Sequence, residues 1–220
     1  TKHVTGIPES MGGSGDTSPV TAFGVYMGMK ASAKYIWGSD NLNDRTVVVQ
    51  GIGHVGENLV KHLAKEGANI VINDINTQKL NDLAEEFGAT IVMGDAIFDL
   101  DMDIYAPCAL GATINPETIS RLRCEIIAGA ANNQLADEER DSQLCSDKQI
   151  CYAPDFLINV GGLINVYSEL KGYNRESALK QTKEIYNTTL EILTKAKLES
   201  ITTHAAALQV AKQRIKYRRG

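Results

Sequence analysis

The stretch TVVVQGIGHVGENLVKHLAKEGANIVIND, residues 46–74, decides the fold of this chain. An apolar β-branched run at 47–49 precedes a glycine turn, which is followed by a segment with apolar residues at helical spacing. Gly67 ends that segment, and a second apolar run at 70–72 leads to Asp74. The order of strand, glycine turn, helix, strand and acid predicts a parallel βαβ unit that binds a dinucleotide.

The glycine turn has a physical reason for each of its glycines. Gly51 allows a tight turn off the strand, Gly53 allows a pyrophosphate to approach the backbone, and Gly56 allows the helix to pack on the strand. The backbone around His54 and Val55 would present N–H groups and the positive end of the helix dipole to the phosphates. The alternative is a glycine-rich turn of an α/β protein that binds nothing.

Asp74 selects the type of dinucleotide. It ends the second strand beside the first, where its carboxylate can accept hydrogen bonds from both ribose hydroxyls. The same negative charge would repel a 2′-phosphate, so the sequence predicts NAD rather than NADP as the cofactor. Ile75, the next residue, belongs to the same predicted cofactor site.

Length and composition predict a soluble globular protein. The chain has 220 residues, of which 43% are hydrophobic and 22% are charged, enough for one large domain. A net charge of −5 gives no electrostatic reason to expect a nucleic-acid partner. No apolar run approaches the ~18–20 residues of a membrane span, and no signal peptide is recognisable. We therefore expect a cytoplasmic protein without a membrane partner.

The cysteines have no spacing typical of a metal site, and no CxxC motif occurs. We expect reduced thiols and neither a metal nor a disulfide at these four positions: Cys108, Cys124, Cys145 and Cys151. The chain starts at Thr1 without an initiator Met or a preceding strand, which predicts that it is part of a longer protein.

Strands that alternate with helices predict an α/β fold, a Rossmann-like, doubly wound and mostly parallel sheet. Additional C-terminal helices are expected over residues 175–220. Residues 95–100 are expected to form an acidic loop, and residues 150–159 a last strand broken by a proline.

The N-terminal segment, residues 1–17, is expected to be irregular. Its GGSGD stretch, residues 12–16, is either an anion-cradling turn or a flexible loop. Ser18 and Pro19 then have the residue types of an N-cap and a first helical position.

Ligands of an open parallel sheet bind beyond the carboxyl ends of its strands, near the point where the strand order reverses. The residues that follow predicted strands therefore form the candidate site: 51–56, Asp74, Pro107, Cys108, Ala109, Asn132, Asn159, Gly161 and Gly162. The two asparagines offer the donors and acceptors that a nicotinamide carboxamide or a bound amino acid needs. Each of them could instead cap a helix or form a turn.

No residue is a convincing acid–base catalyst. His54 lies in the glycine turn, His62 is expected on the polar face of a helix, and His204 begins the last helix. Three lysines on predicted helices are expected to be solvated: Lys30, Lys61 and Lys65. The sequence predicts a cofactor site without a catalytic group of its own.

Segments over nearly the whole chain resemble the amino-acid dehydrogenase family, and within it the leucine, valine and phenylalanine branch. They are GGSGDTSPVTAFGVYMGMKASAK, VVVQGIGHVG, VINDIN, YAPCALGATIN, IIAGAANNQL, YAPDFLINVGGLINVYSEL and GYNRE. The resemblance implies oxidative deamination of an L-amino acid by NAD⁺, giving a 2-oxo acid and ammonia. It also implies that residues 1–220 are the NAD-binding domain of a two-domain subunit, with residues 1–17 between the domains. The catalytic lysines would lie in an N-terminal domain absent from this chain, and full-length members form homo-oligomers.

The resemblance also assigns roles to single residues. Thr21 matches a threonine that bonds the nicotinamide carboxamide, while Asn132 and Asn159 match asparagines near the nicotinamide and the substrate. The loop near the adenosine is matched by three consecutive residues: Cys108, Ala109 and Leu110.

Leu163 and Val166 match the positions that line the substrate side-chain pocket. They lie four and seven residues past Asn159, which predicts one helical face for all three. A glutamate dehydrogenase would offer a hydroxyl at the Val166 position, whereas both residues here are apolar and would disfavour a buried charge. A branched-chain substrate (leucine, valine or isoleucine) is therefore implied. A phenylalanine or glutamate dehydrogenase and a non-catalytic NAD-sensing domain are the alternatives.

Overall fold

A six-stranded, all-parallel sheet forms the centre of the structure, a computed structural model that describes residues 4–218. Its strand order is β3-β2-β1-β4-β5-β6, which reverses between β1 and β4 and confirms the doubly wound α/β fold. The strands are β1 (Thr46–Gln50), β2 (Asn69–Asn73), β3 (Thr90–Ile91), β4 (Ile104–Pro107), β5 (Ile126–Ile127) and β6 (Cys151–Tyr152).

Helices cover both faces of this sheet. They are α1 (Ser18–Trp37), α2 (His54–Glu66), α3 (Thr77–Phe87), α4 (Pro116–Arg121), α5 (Glu138–Asp147), α6 (Asp155–Ile158), α7 (Gly161–Glu169), α8 (Arg175–Lys183), α9 (Ile185–Glu199) and α10 (Thr203–Arg218). The last three are the expected C-terminal helices. The ends of the ranges 1–17 and 175–220 lie outside the described residues.

Strand β1 explains why the chain folds around residues 46–74. Val47 and Val49 point into one hydrophobic cluster, and Val48 points into the other, because successive strand residues face opposite sides. All three side chains are fully buried. A strand buried on both faces has a continuous apolar run rather than an alternating one, as this sequence does.

Two sequence predictions about local structure were wrong. Residues expected to form an acidic loop instead form a 3-10 helix, Gly94–Asp99, whose Ile97 and Phe98 are buried. The expected strand over 150–159 contains only the two residues of β6, since Pro154 ends the strand and caps helix α6. The loss of the amide hydrogen at a proline prevents further ladder pairing there.

The start of α1 lies one residue away from its predicted place. Thr17 is the N-cap, so Ser18 is the first helical residue and Pro19 the second. The backbone N–H of Ser18 donates to Oδ1 of Asp16 at 2.9 Å. Asp16 thus accepts the N–H of the first helical residue, whereas the Thr17 side chain makes no capping hydrogen bond.

The four cysteines are free thiols. Burial raises the pKa of each thiol to about 12, so all four stay protonated near neutral pH.

The contact between α2 and β1 leads to a stability prediction. A Cβ atom on Gly56 would lie 2.0 Å from the carbonyl oxygen of Gly51, whereas one on Gly53 would meet no atom within 4 Å. Gly56→Ala should therefore lower the free energy of unfolding by about 1–3 kcal/mol. Gly53→Ala, its matched control, should change it by less than about 0.5 kcal/mol. Urea unfolding followed by circular dichroism measures both, and equal midpoints would contradict the assigned contact.

Candidate cofactor and substrate site

The glycine turn lies against the loop that follows β4. Gly51 has a φ of +94°, which favours glycine, and its N–H donates to the carbonyl oxygen of Asn73 at 2.7 Å. A Cβ at this position would lie 2.6 Å from Cβ of Ala109. The carboxyl ends of β1, β2 and β4 therefore meet at this turn.

The start of helix α2 has the properties of an anion site. No side chain caps it in the part of the chain that the structure describes, so its first N–H groups are left for solvent or a ligand. The exposed Gly53 is the N-cap, and the space where its Cβ would lie is open. His54 is exposed and Val55 half-buried in the first turn. A pyrophosphate fits this arrangement of free donors, open space and positive helix dipole.

Asp74 is bonded to the turn beside it. Its Oδ2 accepts the backbone N–H of Ile52 at 2.8 Å, and its Oδ1 accepts the N–H of Asn76 at 2.9 Å. The carboxylate is half-buried, and each of its oxygens retains a lone pair for a ribose hydroxyl. Ile75 is 98% exposed, so an apolar side chain faces solvent where the adenosine is expected.

The loop after β4 begins with a half-buried residue and continues with exposed ones. The backbone N–H of Cys108 donates to the carbonyl oxygen of Gln50 at 2.7 Å, and its side chain packs against the glycine turn, with Cβ 3.5 Å from the place of a Cβ on Gly56. Cys108 thus contacts the glycine turn on the side of the sheet. Ala109 and Leu110 are exposed, and these two can contact a ligand.

The structure brings the two predicted asparagines together. Nδ2 of Asn159 donates to Oδ1 of Asn132 at 2.7 Å and to the carbonyl oxygen of Ala130 at 3.3 Å. Asn159 was predicted to follow a strand. It is instead the C-cap of α6. The pair joins the loop after β5 to the junction of α6 and α7.

Thr21 lies where α1 meets α7. Its hydroxyl donates to the carbonyl oxygen of Thr17 at 3.0 Å, and it would be 2.6 Å from a Cβ on Gly162. Leu163 and Val166 share a face of α7, with Leu163 64% exposed and Val166 half-buried. Asn159 precedes this helix, so the prediction of one shared helical face holds for the two apolar residues alone.

Apart from His54 in the glycine turn, the histidines and lysines weighed as acid–base groups make contacts elsewhere in the structure. His62 stacks on Tyr26 of α1 with ring centroids 5.1 Å apart, and burial lowers its pKa. Lys30 forms an ion pair with Glu66 between α1 and α2. Lys30 was expected to be solvated and His62 to lie on a polar helix face, but both form contacts between α1 and α2 instead. His204, only 6% exposed, lies on α10 with Nε2 3.3 Å from Glu138 Oε2.

Sequence reasoning missed Gln134, which is fully buried. Its Nε2 donates to the carbonyl oxygens of Gly129 and Ala131 at 2.8 and 2.9 Å. Its backbone N–H donates to Asp155 at 3.3 Å. Gln134 holds the loop that carries Asn132 in place. The sequence signal that could have indicated Gln134 was the run of polar residues after an apolar strand.

Of the described backbone N–H groups of the GGSGD stretch, only one binds an anion, and that anion is a side chain of the same protein. The backbone N–H of Ser14 donates to Oε1 of Glu169 at 2.6 Å. The stretch is therefore an ordered turn held by α7.

Within residues 4–218, no group of three or more His, Cys, Asp or Glu side chains is placed to hold a metal ion. Across the described chain, none of the helices has the length and apolar character needed to cross a membrane.

Comparison with known proteins identifies relatives of this arrangement. A model of the Glutamate/Leucine/Phenylalanine/Valine dehydrogenase family matches residues 12–76 and 72–219. A leucine dehydrogenase of Thermoactinomyces intermedius is 50% identical over 219 residues, which cover 100% of this chain and 60% of that protein. One from Bacillus subtilis is 50% identical over 215 residues, or 98% of this chain and 59% of the relative.

Solved structures of amino-acid dehydrogenases are also similar to this chain. The crystal structure of L-tryptophan dehydrogenase from Nostoc punctiforme is 46% identical, has a TM-score of 0.89, and covers 91% of this chain and 61% of its own. A hetero-hexameric glutamate dehydrogenase from Thermus thermophilus, at 21% identity and a TM-score of 0.78, shares the fold. The chain spans about 60% of the length of these relatives. The match of the family model and the identity to these dehydrogenases lead to one conclusion: the chain belongs to the glutamate/leucine/phenylalanine/valine dehydrogenase family.

Proposed function

We propose that this chain is the NAD-binding domain of an L-amino-acid dehydrogenase that oxidatively deaminates a branched-chain amino acid. The products would be the 2-oxo acid and ammonia. The observation that carries the proposal is the uncapped start of α2 beside Asp74 at the carboxyl ends of the strands. The Asn132–Asn159 hydrogen bond joins the loop after β5 to the start of α7, which carries the exposed Leu163. Leucine dehydrogenases with 50% identity support it.

Different residues at the strand ends would bind different parts of the cofactor. The N–H groups at the start of α2 would bind the pyrophosphate, and Asp74 the adenosine ribose. Ile75, Ala109 and Leu110 are exposed around the expected adenosine. When bound, the nicotinamide would supply the hydride acceptor.

The nicotinamide end would be held by three polar side chains. Thr21 lies at the α1–α7 contact, and Asn132 and Asn159 are joined by a hydrogen bond. Because Asn159 donates to Asn132, the pair has a fixed orientation and can present remaining donors and acceptors to a carboxamide or a carboxylate.

The substrate side chain would pack on Leu163 and Val166. Both are apolar, so a charged side chain buried there would lose hydration without gaining a partner. This favours leucine, valine or isoleucine over glutamate. The L-tryptophan dehydrogenase relative makes an aromatic substrate the second candidate.

The acid–base groups would come from outside this chain. Lys30 and His62 are occupied between α1 and α2, and Lys61 pairs with Glu57 at 2.7 Å. In the full-length protein, a second domain would supply the proton transfer, and the whole would be a homo-oligomer. Four free thiols support a cytoplasmic location.

The open space at Gly53 allows a direct test of cofactor binding. Gly53→Ala should weaken NADH binding to this chain by about tenfold or more, because the added methyl occupies the space of the pyrophosphate. NADH fluorescence titration gives the dissociation constant, and the unfolding midpoint shows whether the fold is intact. An unchanged dissociation constant in a folded variant would remove the glycine turn from the site.

Asp74 is expected to set the preference for NAD. Asp74→Ser should relax discrimination against NADP because the charge that repels the 2′-phosphate is lost. NAD affinity should fall as well, since Ile52 loses its hydrogen-bond acceptor. The ratio of NADH to NADPH dissociation constants measures the effect, with the exposed Asp82→Ser as a charge-matched control. A ratio unchanged from the original protein would argue against Asp74 as the ribose ligand.

If this chain binds the cofactor and a second domain supplies proton transfer, this chain alone should bind NADH without turnover. NADH production from L-leucine, followed by absorbance, should be undetectable with the 220-residue chain. The full-length enzyme should prefer leucine, valine or isoleucine in a panel that includes phenylalanine, tryptophan and glutamate. Turnover by the isolated chain would disprove the division, and a preference for glutamate would disprove the assigned pocket.

A further inference from the structure

Helix α7 is anchored at both of its ends, and the apolar face proposed for the substrate lies between the anchors. At its start, Gly161 and Gly162 pack on α1. A Cβ on Gly161 would lie 2.3 Å from the carbonyl oxygen of Val20, so nothing larger than glycine fits. This contact fixes where the helix begins, but it does not fix the direction of the rest.

The second anchor is made by the N-terminal segment. The Glu169 carboxylate, on the last residue of α7, accepts the backbone N–H of Ser14 at 2.6 Å and that of Gly6 at 3.1 and 3.2 Å. One turn earlier, Nδ2 of Asn165 donates to the carbonyl oxygen of Ser14 at 3.2 Å. Tyr173 orients that amide by donating to its Oδ1 at 3.0 Å. Two side chains of α7 thus hold both backbone groups of Ser14.

The N-terminal segment is folded on itself, so one carboxylate can hold much of it. The N–H of Gly15 donates to the carbonyl oxygen of Ile7 at 2.9 Å, and that of Gly13 to Pro8 at 3.2 Å. A Cβ on Gly13 would lie 2.0 Å from the Ile7 oxygen. These contacts join the two ends of the segment, including the Gly6 and Ser14 amides that Glu169 binds.

The position of Glu169 does not stabilise its own helix. A carboxylate at a helix C-terminus lies at the negative end of the dipole, where a basic residue is favoured. Hydrogen bonds from Ser14 keep the pKa of Glu169 below its ordinary value, so the carboxylate is charged at neutral pH. The side chain therefore stabilises the contact between two segments at the expense of local helix electrostatics.

We propose that Glu169, together with Asn165, is a positioning residue that couples the N-terminal segment to the substrate-facing side of α7. A movement of that segment would swing the helix about its glycine anchor and displace Leu163 and Val166. The inference rests on the proposed function, because it assigns the affected face to the amino-acid side chain.

The first experiment uses this chain and does not depend on catalysis. In Glu169→Ala, amide hydrogen exchange at Gly6 and Ser14 should rise by about tenfold. The methyl NMR signals of Leu163 and Val166 should shift, while NADH affinity stays the same. Glu169→Gln keeps one acceptor and should give smaller changes of both kinds. Glu139→Gln, an exposed residue on α5, is the matched control and should change neither.

The second experiment uses the full-length enzyme. Glu169→Ala should raise the KM for L-leucine by about threefold to tenfold, with Glu169→Gln in between and the dissociation constant of NADH unchanged. Unchanged exchange, unchanged methyl signals or an unchanged KM would overturn the coupling. If the unaltered enzyme does not act on branched-chain amino acids, the proposed function fails, whereas the exchange data still decide whether Glu169 holds the segment.

Discussion

The close approach of helix α2 to strand β1 is the constraint on which the rest of the site depends. The Gly56 Cα lies so near the Gly51 carbonyl that no side chain fits between them. This contact sets the height at which the helix starts above the sheet, and therefore where its free N–H groups point. Asp74 reinforces it by accepting the N–H of Ile52, so the acid expected to bind the ribose also holds the turn in place.

The two halves of the candidate site are held by different kinds of contact. The half at β1, β2 and β4 is held by backbone contacts and by the half-buried Cys108. The half at α7 is held by two glycines at one end and by side-chain hydrogen bonds from Glu169 and Asn165 at the other. Hydrogen bonds to the half-buried Glu169 carboxylate open more readily than a close-packed glycine contact.

Prediction from sequence succeeded where the signal is local and failed where the partner is distant. The glycine turn and helix α2 were correct because their spacing reflects the geometry of one βαβ unit. His62 and Lys30 were misplaced because the faces they occupy are set by α1 packing on α2, a contact between segments far apart in the chain. The strand expected over 150–159 was wrong because its apolar residues also suit a buried helix, and periodicity cannot separate the two over so few residues.

The sequence by itself determined the α/β class, the glycine turn with its terminal acid, and the family to which the chain belongs. These features depend on residue types at short fixed separations, which one continuous segment carries complete. Only the tertiary structure decided that Asn159 donates to Asn132, that Ser14 of GGSGD donates to Glu169, and that Cys108 packs against the glycine turn. Each of these depends on which residues the fold brings together from distant parts of the chain, and hydrogen bonds of this kind leave no periodic trace in the sequence.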